Sequence, residues 1–174
     1  MIRKLLDKTP QIGQGSFVAE TAAVVGDVVM GEGCSVWYSA VVRGDVNRIR
    51  LGHRVNVQDC ACIHVALDPY DVVIADDVTI GHNATVHGCH IASHCLIGMG
   101  ATVLDGVVMD EGSVVAAGAL VLQHTHIGTH ELWGGVPARL LKRLSDEDVE
   151  RIVSEGQRHY AYWTEVYLKE QEER

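Results

Sequence analysis

The run Gln11 to Val42, QIGQGSFVAETAAVVGDVVMGEGCSVWYSAVV, decides the fold of this 174-residue chain. Ile12, Val18, Val24, Met30, Val36 and Val42 recur in it at every sixth position. Neither a helix period of 3.6 nor a strand period of 2 produces that spacing, so each hexad reads as a short strand plus a corner. A fixed repeat this short means a solenoid, with three hexads closing one triangular coil.

Outward from that run the phase resumes as Leu51, Val57 and Ile63, then Ile74, Ile80 and Val86, then Ile91 onward through Ile97, Val103, Met109, Val115, Val121 and Ile127. Glycine follows the aliphatic residue at Ile12, Leu51, Ile80, Ile97 and Ile127, where a corner is expected. The phase breaks between Val42 and Leu51, between Ile63 and Ile74, and between Val86 and Ile91. The second break holds Asp68, Pro69 and Tyr70 and predicts an outward loop. An ordinary β-sandwich would not hold one six-residue phase for so long.

After the solenoid the composition changes. Ser145 with Asp148 three residues on forms a capping-box pattern, and Asp146 to Glu173 contains no proline, so one long helix is expected there. Its apolar positions, Val149, Ile152, Val153, Tyr160, Trp163 and Tyr167, should bury against the solenoid. Gly156 either kinks this helix or lets it approach another backbone. The expected division is residues 1–144 as the solenoid and 145–174 as the helix.

A net charge of −9 without a basic run argues against nucleic acid or an anionic membrane surface as partner. No apolar run reaches spanning length, and Met1 to Thr9 does not read as a signal peptide. Five cysteines, an odd number without a framework spacing, point to a reducing cytoplasm. Cys60 and Cys62 alternate along a strand and read as structural.

Three histidines carry chemistry. If Leu51, Val57 and Ile63 are faces one, two and three of a coil, then Ile74, Ile80 and Val86 are the same faces of the next. His64 and His87, each one residue past its aliphatic neighbour, are thereby stacked at the strand spacing of about 4.8 Å. Imidazoles that close can share a zinc. His82 lies two residues past Ile80, on the order of 10–16 Å from the pair along extended backbone. A third ligand would then come from an adjacent copy, and like prisms pack naturally about a threefold axis, as a homotrimer. His53, His90, His94, His124, His126 and His130 read as surface or trimer-lining residues.

The segments Arg43-Gly44-Asp45, Asn56-Val57-Gln58-Asp59, Ile63-His64, Ile80-Gly81-His82-Asn83-Ala84-Thr85-Val86-His87-Gly88 and Ile97-Gly98-Met99-Gly100-Ala101 resemble the γ-class carbonic anhydrase family over nearly the whole chain. The resemblance implies a mainly β fold, a left-handed parallel β-helix of hexapeptide repeats with a C-terminal α-helix. It also implies reversible hydration of CO2 to bicarbonate at Zn2+, with Co2+ or Fe2+ as alternatives, held by His64 and His87 of one protomer and His82 of the next. Gln58 would orient the metal-bound hydroxide, Arg43 and Asp59 would pair across the subunit interface, and Asp45 and Asn56 would support them. Tyr160 resembles an active-site tyrosine of the family.

Two places depart from the family pattern. Val46 stands where a proton-exporting glutamate is implied, and the loop after His64 offers only Asp68 and Asp71, so a modest rate is expected. A hexapeptide-repeat acyltransferase using acyl-CoA is the alternative enzyme, and a metal-binding homologue without hydrase activity is the non-enzymatic one. Gly135-Val136-Pro137-Ala138-Arg139 suits either enzyme.

Overall fold

The computed structural model describes residues 1–172. It is a parallel β-solenoid of about seven coils with a C-terminal helix. From Val24 onward the every-sixth residue points inward: Val24, Val36, Val42, Val57, Ile63, Ile80, Val86, Ile97, Val103 and Ile127 are all fully buried, while Ile12 and Val18 at the open end are half-buried. Burial of each such side chain contributes about 1.5–3 kcal/mol relative to leaving it in water.

The three faces differ in what covers them. Face two is a sheet of its own, running from Phe17–Val18 through Ser35–Val36, Asn56–Val57, Thr79–Ile80, Leu96–Ile97 and Val114–Val115 to Glu131–Gly135. That last strand turns back antiparallel as Ala138–Arg143 and closes the stack. Faces three and one are joined in a second sheet, because the strands Ala23–Met30 and Val41–Leu51 bend through the corner between them.

The corners need residues in the left-handed backbone region, one per hexad at most positions. Cys60, Asn83 and Gly100 supply it at one corner, Arg54, Asp77, His94 and His130 at another. Asn, Asp and His tolerate that region better than most side chains. The backbone thus gives His94, His124 and His130 a structural reason, one the sequence alone did not suggest. His90 and His126 stand on face one and bond Asp71 and Asp110.

The terminal helix is less regular than expected. A turn Asp146–Val149 is followed by a π-helical stretch Glu150–Ser154 and then an α-helix Glu155–Glu172. Ser145 caps it, accepting from the Asp148 N–H at 3.1 Å. Glu173, expected as its last residue, lies outside the described residues. Val149 and Val153 pack on Val114 and Leu144, and Tyr160 and Tyr167 reach the main core beside Trp37 and Phe17. Trp163 departs from the expected apolar face: it stays 39% exposed and its indole N–H donates to His159. In its place Gln157 and Thr164 are buried, the former accepting from Thr79 and donating to the Arg54 carbonyl. Gly156 approaches no backbone, since a side chain there would meet nothing within 4 Å. The irregularity of the helix lies in the π stretch before it.

Candidate metal centre

His64 and His87 are stacked in register, with Ile63 against Val86 and Arg43 on the other side of His64. Their rings sit 5.0 Å apart, and His64 Nδ1 lies 3.0 Å from His87 Nε2. The remaining nitrogens are committed to carboxylates. His64 Nε2 meets Asp45 Oδ1 at 2.8 Å, and His87 Nδ1 meets Asp105 Oδ1 at 2.5 Å. Asp45 also pairs with Arg43. Burial pulls the Asp45 carboxyl upward, but the His64 hydrogen bond and the Arg43 charge outweigh it and hold it below the usual range.

Every break in the hexad phase falls at this one corner, between faces three and one. In the first break Asp45 to Arg48 bulge out opposite Asp27 alone, where the register shifts between Gly26 and Val28. That bulge aims Asp45 at His64. The second break is the expected outward loop, tied back by Asn47 Nδ2 to the Ala66 carbonyl at 3.1 Å and by Asp71 to Arg48 at 2.9 Å and His90 at 2.8 Å. The third break is one residue short and turns on Gly88, at φ +51°. A Cβ on Gly88 would collide with the Asp105 carboxylate and come within 2.9 Å of Tyr70 Cβ. Asp105 is not reached by the repeat count: the shortened coil is seventeen residues, which stacks Val86 on Val103 and puts Asp105 one place past the position above His87.

His82 occupies the other edge of face three, on an unbroken hexad. Its Nδ1 meets Asp59 Oδ2 at 2.8 Å, its Nε2 faces the Tyr160 hydroxyl at 3.2 Å, and its backbone N–H donates to Gln58 Oε1 at 3.1 Å. Burial first, then the Asp59 charge, pushes the Tyr160 hydroxyl pKa up, so it remains protonated at neutral pH. Asn56, two residues before Gln58, accepts from the Trp37 indole N–H at 2.8 Å and from the Ser35 hydroxyl at 3.1 Å. An indole can only donate, which fixes the amide orientation. The Asn56 NH2 is left buried without a partner.

Arg43 and Asp59, expected to pair between subunits, each find another partner within the chain: Arg43 takes Asp45 and Asp59 takes His82. Among the described residues of one chain, no three His, Cys, Asp or Glu side chains are grouped to hold a metal ion. All five cysteines are free thiols. Burial pushes Cys34 up to about 11 and Cys89 to about 12, which makes both poor nucleophiles and poor ligands.

Comparison with known proteins places the chain in a family. No family model matches the chain. Gamma carbonic anhydrase 1, mitochondrial, of Arabidopsis thaliana is 43% identical over 97% of the chain, which spans 63% of that relative's length. The carbonic anhydrase of Geobacillus kaustophilus is 36% identical over the whole chain and 94% of its own length. A protein of Methanocaldococcus jannaschii named probable carbonic anhydrase is 42% identical over 82% of the chain and 89% of its own. Among solved structures, a hexapeptide transferase family protein of Anaplasma phagocytophilum superposes with a TM-score of 0.90 at 34% identity, covering 95% of this chain and 97% of that one. The chain belongs to the γ-class carbonic anhydrase family.

Proposed function

We propose that the protein hydrates CO2 reversibly to bicarbonate at a divalent metal, held by His64 and His87 of one copy and His82 of the next in a homotrimer. One observation carries this reading: each of the three imidazoles has one nitrogen on a carboxylate, Asp45, Asp105 or Asp59, and turns the other to a neutral neighbour that a metal would displace, His64 Nδ1 and His87 Nε2 to each other and His82 Nε2 to Tyr160. A carboxylate behind the ring fixes its tautomer and raises its basicity, as metal-ligating histidines require. Three neutral imidazoles fit a zinc, cobalt or iron ion with an open position. Such an ion supplies a Lewis acid that brings the pKa of a coordinated water near 7.

The chain's own groups do the rest. The Gln58 carbonyl oxygen is held by the His82 N–H, so its NH2 is turned to donate. The Asn56 NH2 is sealed from solvent, so Asn56 serves to hold the strand beside Trp37 and Ser35. A preset donor such as the Gln58 NH2 would orient an oxygen substrate without reorganising during the reaction. Tyr160 keeps its proton and sits on the His82 nitrogen that a metal would take. Arg43 and Asp59, exposed enough to change partners, would pair across the interface.

Face three supports the trimer. Its outward row, Ala23, Val41, Cys62, Thr85, Thr102 and Leu120, is small or apolar, and only half buried in one chain. The helix lies over face two instead. The two histidine edges bound face three on either side, so a threefold arrangement would bring one edge of each copy to the opposite edge of its neighbour.

No proton exporter stands ready. Val46 is exposed and apolar, and Asp71 is spent on Arg48 and His90. Hydration should therefore be modest and climb with buffer concentration. We place the protein in a reducing compartment, the cytoplasm, on the strength of its free thiols; no described helix is long and apolar enough to cross a membrane.

Metal analysis of the reduced protein, light scattering and a CO2-hydration assay test the reading together. A stoichiometrically metallated trimer that hydrates CO2 is the expected result. The hexapeptide transferase likeness favours one rival: a metallated trimer inactive on CO2 at every buffer concentration, yet transferring an acyl group from CoA, would establish it.

A further inference from the structure

Between the terminal helix and the solenoid lies a chamber of about 420 Å³, opening beside Gln58, His82 and Tyr160. Ligand sites commonly have this size. Its walls are otherwise largely apolar: Leu96, Ile97 and Val115 from the solenoid, Ile152 and Val153 from the helix. The chamber exists because two sets of side chains are missing. Along the outward row of face two that starts at Gln58, the residues stacked above it are Gly81, Gly98, Ala116 and Gly134. Coil-to-coil contact forces these to be small, since a Cβ on Gly81 would come within 2.7 Å of the Met99 nitrogen.

Gly156 has no such reason. It stands inside the helix, where glycine is destabilising relative to alanine, and a side chain there would meet nothing. What its absence does is keep the chamber open at the level of Tyr160. At the chamber mouth Gln58 is only 6% exposed, and its NH2 donates to no described residue. An apolar cavity ending in the free NH2 of the Gln58 amide suits a ligand with an aliphatic tail and a head that accepts a hydrogen bond, such as a carboxylate.

We infer that the chamber takes the aliphatic tail of a short-chain carboxylate, whose head group accepts from the Gln58 NH2. The inference rests on the proposed reading only for the head, which stands where bicarbonate would. The ligand is thus a monocarboxylate larger than the substrate, bound as a competitor of bicarbonate.

Titration calorimetry of the zinc-loaded protein with acetate, propanoate, butanoate and pentanoate tests it. Affinity should rise about fourfold for each methylene buried. In Gly156→Leu the leucine fills the chamber, so the four acids should bind equally, each about as tightly as acetate binds the parent. Circular dichroism and light scattering identify a variant that fails to fold, in which case Ala117→Leu, on the opposite wall, serves the same purpose. Equal affinities for the four acids in the parent protein overturn the inference, whether or not the protein hydrates CO2. A chain-length rise in a protein that neither holds metal nor hydrates CO2 upholds the chamber and overturns the proposed function instead.

Discussion

The two edges of face three both carry histidine, and they are made in opposite ways. At the edge shared with face one, the solenoid abandons its repeat in three successive coils, and the bulge, loop and shortened corner that result bring Asp45 and Asp105 onto His64 and His87. At the edge shared with face two the repeat is intact, and His82 takes its surroundings from Asp59 one coil below and from Tyr160, seventy-eight residues further along the chain. One edge is shaped by local backbone irregularity, the other by a docked helix. A fault in the repeat therefore marks chemistry at the first edge, while at the second only tertiary packing does.

The comparison can be broken most directly by removing the imidazoles. His64→Ala, His87→Ala and His82→Ala should each strip most of the metal, whereas His53→Ala, whose ring accepts the Glu32 N–H far from the cluster, should not. Equal metal content in all four variants, read by elemental analysis, would show that the two edges do not share one ion.

Glycine substitutions sharpen the contrast. Gly88→Ala should lower stability by roughly 1–2 kcal/mol for the left-handed backbone alone and displace Asp105 besides, weakening metal binding at the irregular edge. Gly156→Ala, beside the regular edge, should raise stability by about 0.5–1 kcal/mol because nothing opposes its methyl. Urea denaturation of both variants checks the opposite signs; a destabilised Gly156→Ala would mean that the helix docks differently.

Asp105→Asn should leave the fold intact and reduce zinc affinity by about 10–100-fold, the usual effect of losing a carboxylate behind a ligand. Competition with a chromogenic chelator measures it, and an unchanged affinity would remove His87 Nε2 as a ligand.

The smallest effect concerns the loop. Burial raises the Asp71 carboxyl, but the hydrogen bonds from His90 and Arg48 outweigh it and hold it below its ordinary value. A carboxylate with a depressed pKa stabilises the fold above its unfolded pKa, about 3.9, and loses that contribution as pH falls through the folded value. Asp71→Asn should thus be less stable than the parent at pH 6, with the gap narrowing progressively as pH falls below the ordinary carboxylate range. A gap that is the same at every pH would assign the loop's anchorage to packing instead.

The six-residue phase decided much of this before any coordinates. A period of six with three faces places residue eighteen onward directly above its predecessor, so the stacking of His64 on His87 could be counted from Ile63 and Val86, loop included. The same counting leads from His87 to Leu104 and misses Asp105 by one place, because the shortened corner at Gly88 shifts it onto the ring; the three breaks at that corner are visible in the sequence as missed beats. The helix was legible as a helix from its cap and composition. Where it docks was not, because its apolar positions say that a face is buried but not against which strands. Hence Gln157 and Thr164 as buried polar residues, the exposure of Trp163, the chamber beside Gly156 and the Tyr160 hydroxyl on His82 all waited for tertiary structure. Periodicity is a property of neighbours along the chain and one coil away, so the sequence by itself determined the prism and its stacked pair. Contacts that close over about eighty residues, between a helix and the face it covers, depend on matching two surfaces in space, and only the folded molecule decided them.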